Sequence, residues 1–323
     1  MNINRKCEFD IDKNLINSIS ITNSVIYFTS AYDNTVYSLD PQSSKIKKEI
    51  GEGIGYGKYR YREPVFCLSR IDDRNKLELV VCDWHNHRVI KYLDSEYHSE
   101  SGIFHNETRG TIKSILSFIK NLSYKGRYIS SHNTNVIDEP IGKINTLNSL
   151  CYAMKRLFNR KSHVKVNKPN GIIFHEGKYY FTQKNRSCVT VLDKNFNYLK
   201  NIILPKSGRV GNITKNHGDI YISVENPAAI YRMEDDLLEE VTINLTSDIV
   251  NDFAPFSTIS IDNEHIAIIS ASKLIIAEKN SGEIVNVVEV GGELHGLEQD
   301  RNTLEVFVSD RLSSKIVSFE VRI

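Results

Sequence analysis

The chain has 323 residues, 40% apolar and 25% charged, with a net charge of +1. That length can bury a large core, and the composition excludes disordered, collagen-like and disulfide-scaffold classes. The first fifteen residues, MNINRKCEFDIDKNL, hold no apolar run, and no stretch is long and apolar enough to span a bilayer. The expected location is therefore the cytoplasm, with a peripheral position at the inner membrane surface as a variant. The five cysteines, Cys7, Cys67, Cys82, Cys151 and Cys188, form no CxxC pair and fit no zinc spacing, so they read as reduced thiols.

In chain order, Lys6 to Asp12 (KCEFDID) alternates like a strand but has no local partner. A repeated unit follows, in which a short apolar run meets a polar turn and then an alternating strand. The runs are VIYFTS, LELVVC, KYYFT, DIYIS and LEVFVS, and the turns align at Ala31, Asp83, Gln183, Val224, about Ala271, and Asp310. A further strand precedes most pairs, as in EPVFCLSRID, KPNGIIFHEG, VGNITKNHG, FSTISIDNEH and LHGLEQDRN. A weaker fourth follows in SKIKKEIG, YLKNIIL, LLEEVTINL and GEIVNVVEV. Most turn spacings are about 40 to 52 residues, the length of a propeller blade.

The step from Asp83 to Gln183 is twice that period, and removing roughly 60 residues restores it. The fold class expected is all-β: a six-bladed β-propeller with a helical insertion between blades 2 and 3. Residues 1–104 would form blades 1 and 2 with the closing strand, 105–167 the insertion, and 168–323 blades 3 to 6. The last blade, from Leu294, has room for three strands only, so the N-terminal strand should supply its fourth and close the ring.

Within the insertion, Ile112, Ile115, Leu116, Ile119 and Leu122 recur at helical spacing, as do Ile144, Leu147, Leu150, Cys151, Met154, Leu157 and Phe158. From Thr108 to His175 twelve Lys and Arg residues face only Asp138 and Glu139. Such a block in a neutral chain points to an anionic ligand, an acidic protein or a membrane surface, with Arg156, Arg160, Lys161 and Lys165 as the anion contacts. Aromatic interleaving is modest, so nucleic acid is not favoured. Antiparallel connectivity puts the insertion on the face that carries the turn DWHNHR.

GEGIGYGKYRYREPVFCLS followed by LELVVCDWHNHRVIKYL resembles an NHL-type repeat. KPNGIIFHEGKYYFTQKNRSCVTVLD is similar without the Asn-His pair, and the C-terminal unit is similar more loosely. The resemblance implies a propeller, commonly six-bladed. It makes most of DWHNHR a fold element, with Asp83 bonding turn backbone and Asn86 taking the left-handed conformation. Trp84 is then packing or a platform at the mouth of the ring, and His85 and His87 are structural or surface residues.

Residues at the starts of inner strands, Glu63, Asn170, Asn212, Asp252 and His295, should converge on the channel mouth. Glu63 and Asn170 are also similar to two metal-holding positions of gluconolactonase-type propellers, which implies a divalent cation such as Ca²⁺ or Zn²⁺. NDFAPFST departs from the Asp-Gly pattern that family uses for its third position. GxSxG, HExxH, P-loop and GxGxxG signatures are absent. The leading expectation is a non-catalytic binding or scaffold propeller, with Glu63, Trp84, His87, Asn170, Asp252 and His295 as ligand contacts. A metal-dependent hydrolase or lactonase, or a glycan-modifying enzyme using the channel, is the alternative.

Overall fold

The computed structural model describes residues 2–12, 15–55, 57–101, 166–184 and 186–322. The described residues form six four-stranded antiparallel sheets. Blade 1 holds β2 (Ile16–Thr22), β3 (Val25–Ser30), β4 (Thr35–Asp40) and β5 (Lys45–Ile50). Blade 2 holds β6 (Pro64–Ile71), β7 (Leu77–Asp83), β8 (Arg88–Leu93) and β9 (Glu96–Ser101). Blade 3 holds β10 (Pro169–His175), β11 (Lys178–Gln183), β12 (Arg186–Asp193) and β13 (Tyr198–Ile203). Blade 4 holds β14 (Arg209–Asn216), β15 (Asp219–Asn226), β16 (Ala229–Glu234) and β17 (Leu237–Val241). Blade 5 holds β18 (Pro255–Ser260), β19 (His265–Ser270), β20 (Lys273–Glu278) and β21 (Ile284–Glu289). Blade 6 joins β22 (Leu294–Gln299), β23 (Val306–Asp310) and β24 (Lys315–Arg322) to β1 (Asn2–Asp10).

The closure expected of the N-terminal strand is therefore present. β1 runs antiparallel to β24 from Asn2 opposite Arg322 to Asp10 opposite Lys315. It removes two open edges at once. Strands that the pattern did not quote complete the count: β2 and β9, and the pair β19 and β20 that flanks the turn at Ala271. β2 has no Pro or Gly before it, and β9 (EYHSES) is too polar to stand out.

The middle strands are apolar because both of their faces are covered. β7 (LELVVCD) is buried from Glu78 to Asp83, whereas the outer β13 leaves five of its six residues exposed. Apolar side chains gather in six clusters, one at each junction between neighbouring blades. Each fully buried Ile or Phe there contributes roughly 1.5–3 kcal/mol. Inner strands of successive blades are stitched by small polar side chains rather than by a ladder. The Ser18 hydroxyl accepts from Cys67 N–H at 3.1 Å, and Asn216 donates to Ser260 O at 2.7 Å. Gly171 and Gly296 allow that approach, since a Cβ there would collide with Asn212 of blade 4 and Ile19 of blade 1.

The cysteines described, Cys7, Cys67, Cys82 and Cys188, are free thiols. The helical segments, Cys151, Arg156, Arg160, Lys161 and Lys165 lie outside the described residues, as does the body of the expected 105–167 insertion. The chain leaves blade 2 after the buried Ser101, and the described residues resume before β10 at the buried Val166. Among the described residues no helix is long and apolar enough to cross a membrane.

Candidate functional site

Inner strands start, and the turns between second and third strands fall, on one face of the ring, called here the upper face. The turn Trp84–His87 is fastened to it by a buried network. Asp83 accepts from Arg62 N–H, Asn86 Nδ2 and Arg88 Nε, each at 2.8 Å. The fully buried Arg88 also reaches Glu100 at 3.0 Å and the carbonyls of Gly57 and Arg60 at 2.9 and 2.6 Å. Asn86 donates to Gly55 O at 2.8 Å. Asn86 and Arg88 thus pin the glycine-rich linker, which accounts for most of DWHNHR as structure. One detail is corrected: the left-handed turn residue is His87 (φ 51°), not Asn86, because the Asn86 amide is committed to the linker.

Glu63 is placed from several sides. It is 9% exposed and left-handed (φ 60°), its N–H donates to Asn34 Oδ1 at 2.8 Å, and its carbonyl accepts from Trp84 N–H at 3.2 Å. A non-glycine residue in that conformation persists only where its surroundings over-determine it. One carboxylate oxygen faces His85 Nε2 at 2.8 Å and the other faces Arg311 at 3.6 Å. Burial pushes the Glu63 carboxyl up, but the His85 hydrogen bond and the charges of His85, Arg311 and Lys184 outweigh it and hold it below its ordinary value.

Arg311 spans from Glu63 of blade 2 to Glu293 of blade 6, the latter at 3.5 Å. Its buried Nε has no hydrogen-bond partner among the described residues. His295 Nε2 donates to Glu293 at 2.9 Å, and the ring stacks on Phe256 with centroids 4.4 Å apart. Burial, and then the charges of Arg311 and Lys184, push His295 down against the pull of Glu293, so it is neutral at pH 7. Lys184 is lowered to about 8, by burial first and then by Arg209, with Glu225 and Glu63 opposing. Trp84 carries two ammonium groups over its ring, Lys168 at 4.4 Å and Lys184 at 4.9 Å from the centroid. Its buried indole N–H has no partner among the described residues.

Of the residues expected from sequence, Glu63, Trp84 and His295 meet in this cluster. His87 stands beside it, its Nδ1 accepting from Lys168 N–H at 3.2 Å. Asn170 is buried and donates to Val210 O and Gly211 O at 3.3 and 2.7 Å, tying blade 3 to blade 4. Asn212 similarly reaches Ser257 of blade 5 at 3.4 Å. The Asp252 side chain is exposed in the turn before β18. Among the described residues no group of three or more His, Cys, Asp or Glu side chains is arranged to hold a metal. Of the two expected ligands, Glu63 contacts His85 and Arg311, and Asn170 contacts backbone carbonyls.

Arg311, Lys184 and Glu293 were not singled out from sequence, although a signal existed. The residue one step beyond each aligned turn position is Tyr32, Trp84, Lys184, Glu225, Ser272 and Arg311. Four of these six carry the electrostatics of the mouth.

No protein-family model matches the chain, and no curated protein matches its sequence. Solved structures match its fold. A gluconolactonase from Xanthomonas campestris is similar over 97% of this chain and 88% of its own, with a TM-score of 0.61 and 10% identity. A catalytically inactive histidine-to-alanine variant of virginiamycin B lyase from Staphylococcus aureus, solved with quinupristin, is similar over 99% and 100%, with a TM-score of 0.54 and 11% identity. The β-propeller domain of Swd1 from Myceliophteria thermophila is similar over 99% and 100%, with a TM-score of 0.57 and 11% identity. At these identities the likeness is one of fold.

Proposed function

We propose that the protein is a ligand-binding propeller whose upper mouth takes a molecule bearing a carboxylate or phosphate. The observation that carries this reading is Arg311: a guanidinium held between two carboxylates at 3.5 and 3.6 Å, with its buried Nε unbonded. A buried donor without an acceptor is costly, and an anionic oxygen arriving there gains most from it. Lys184, pushed down to about 8, and the unbonded Trp84 N–H add to the same preference. The expected anion contacts Arg156, Arg160, Lys161 and Lys165 belong to the stretch tethered to this face at Ser101 and Val166. An acidic protein or membrane surface would engage through them.

Trp84 is the only tryptophan, so its fluorescence reports on the mouth. Titration with citrate, phosphate and an acidic peptide should give a saturable change for at least one of them. Arg311→Met should weaken it about tenfold or more. No change with any probe, or a change that Arg311→Met leaves intact, rejects the reading.

A second reading, acid–base catalysis on the ligand, is favoured by the Glu293–His295 pair. With Nε2–H given to Glu293, the neutral His295 keeps its Nδ1 lone pair to act as a base. The similar folds of a lyase and a gluconolactonase make lactones and cyclic esters the first compounds to screen. Turnover lost in His295→Asn but not in Asp252→Asn would support catalysis, and binding without turnover would leave the first reading alone. A divalent cation at Glu63 would have to displace His85 and Arg311 from its carboxylate.

A further inference from the structure

The opposite half of the channel has different chemistry. Where the inner strands end there is a cavity of about 440 Å³, within the range of small-molecule sites. Blades 1, 2, 3, 4 and 6 line it. On one side stand three hydroxyls: Ser69 meets Ser20 at 3.0 Å and Thr22 at 2.8 Å. They can rotate to donate to or accept from a guest. On other walls stand Lys215, Glu298 and Arg301, none in an ion pair with a described residue; the Glu298 carboxyl has the Gln299 backbone N–H as a partner. Between these groups the lining is mixed, and its apolar part includes Phe66 and Leu297.

The charges define the guest. Burial pushes the Glu298 carboxyl up to about 8, against Arg301 and the Gln299 backbone, so at pH 7 it is protonated and can donate. Burial, with Arg301, pushes Lys215 down. The other charged groups of the lining are accounted for: Arg70 pairs with Glu78 at 2.6 Å, and Asp300 caps its own turn through Asn302 N–H at 2.9 Å. The Asp300 carboxylate and, near Lys215, Glu176 oppose Lys215 and Arg301, but these two outnumber the one unpaired carboxylate of the lining, so its balance is positive.

We propose that this lower cavity is a second binding site, separate from the upper mouth, for a small polyhydroxylated anion such as a sugar acid or sugar phosphate. The anionic group meets Lys215 and Arg301. The hydroxyl edge meets Glu298 and the Ser20–Thr22–Ser69 trio. The C–H faces of the ring lie on the apolar lining.

The test is isothermal titration of the full chain carrying Arg311→Met, so that anions taken by the upper mouth do not contribute, with glucuronate, glucose 6-phosphate, glucose and inorganic phosphate, and with Trp84 fluorescence followed in parallel. One of the two hydroxylated anions should bind saturably below ~10 mM, and both glucose and phosphate should bind at least about tenfold more weakly. Lys215→Met and Glu298→Leu should each weaken binding about tenfold, with Glu298→Gln partly restoring it because the amide still donates. In this background Trp84 fluorescence should not respond. Thermal melting confirms that each variant is folded. Absence of binding by both anions, phosphate binding as tightly as either, indifference to Lys215→Met in a folded variant, or binding that Trp84 fluorescence reports would overturn the proposal.

Discussion

Two arginines on the upper face show how the same side chain serves structure in one place and a ligand in another. Arg88 is fully buried, and each guanidinium nitrogen has an acceptor within 3.0 Å, from Asp83, Glu100 or the carbonyls of Gly57 and Arg60. Arg311 has two carboxylates at 3.5 and 3.6 Å and a buried Nε with no acceptor. A saturated network fixes a linker and has nothing left for a guest. An unsaturated one keeps part of its hydrogen-bonding capacity in reserve. Polar burial alone therefore does not mark a site, whereas incomplete pairing of buried charge does.

The sharpest way to break this comparison is to remove both guanidiniums in turn. Arg88→Met leaves Asp83 and Glu100 without their cation and should destabilise the fold by about 3–5 kcal/mol, a loss of roughly 10 °C in Tm. Arg311→Met relieves an unbonded donor, leaves the buried Glu63 with His85 as its remaining side-chain partner and frees the part-exposed Glu293, so it should cost about 1–2 kcal/mol, clearly less than Arg88→Met. Chemical denaturation of the two variants measures both. Equal losses would make Arg311 a structural residue.

Most of this architecture was legible in the sequence. The period of the turns gives six blades, and the missing strand after Leu294 matches the unpartnered KCEFDID segment, which is found in β1 beside β24. The mouth was half legible. Glu63 and His295 sit at fixed positions in inner strands, but their partners Arg311 and Lys184 come from turns 127 residues apart whose proximity only ring closure creates. Asn170 has the right position and a different role, because its amide faces blade 4 carbonyls. The lower cavity was not read. Its sequence trace is a lone charge near the end of an inner strand, Lys215 in RVGNITKN and Glu298 in LHGLEQ, and one charge per strand looks like a solvated end until the strands are set in a ring.

Lys184 tests the electrostatics of the mouth with a smaller effect. Its folded pKa of about 8 lies below the ordinary 10.5, so between those values the unfolded chain holds a proton that the folded chain has lost. Stability then rises with pH across that window. Relative to Lys184→Met, the wild type should gain about 1 kcal/mol from pH 8 to pH 10, after allowance for its partial exposure. A bound anion should raise the Lys184 pKa and flatten the difference. Urea midpoints at each pH, with and without the best anion from the fluorescence titration, read both effects. A pH-independent difference would mean that Lys184 is solvated and contributes little to the mouth.

The smallest effect concerns Glu63, where anion and cation readings of the mouth diverge. Its folded pKa is held below the ordinary 4.5, so its stabilising contribution is present above that value and is lost as pH falls through the folded one. Glu63→Gln should therefore be less stable than wild type near pH 7, by about 1 kcal/mol, and should converge with it below pH ~4. With His85 and Arg311 already on its two oxygens, Ca²⁺ or Zn²⁺ has to displace an imidazole and a guanidinium to bind. EDTA-treated protein should then show less than roughly 1 °C of saturable shift with either ion. A larger shift that Glu63→Gln abolishes would show that the ion displaces Arg311, and the guanidinium would then be a gate on a metal site rather than the anchor of an anion site.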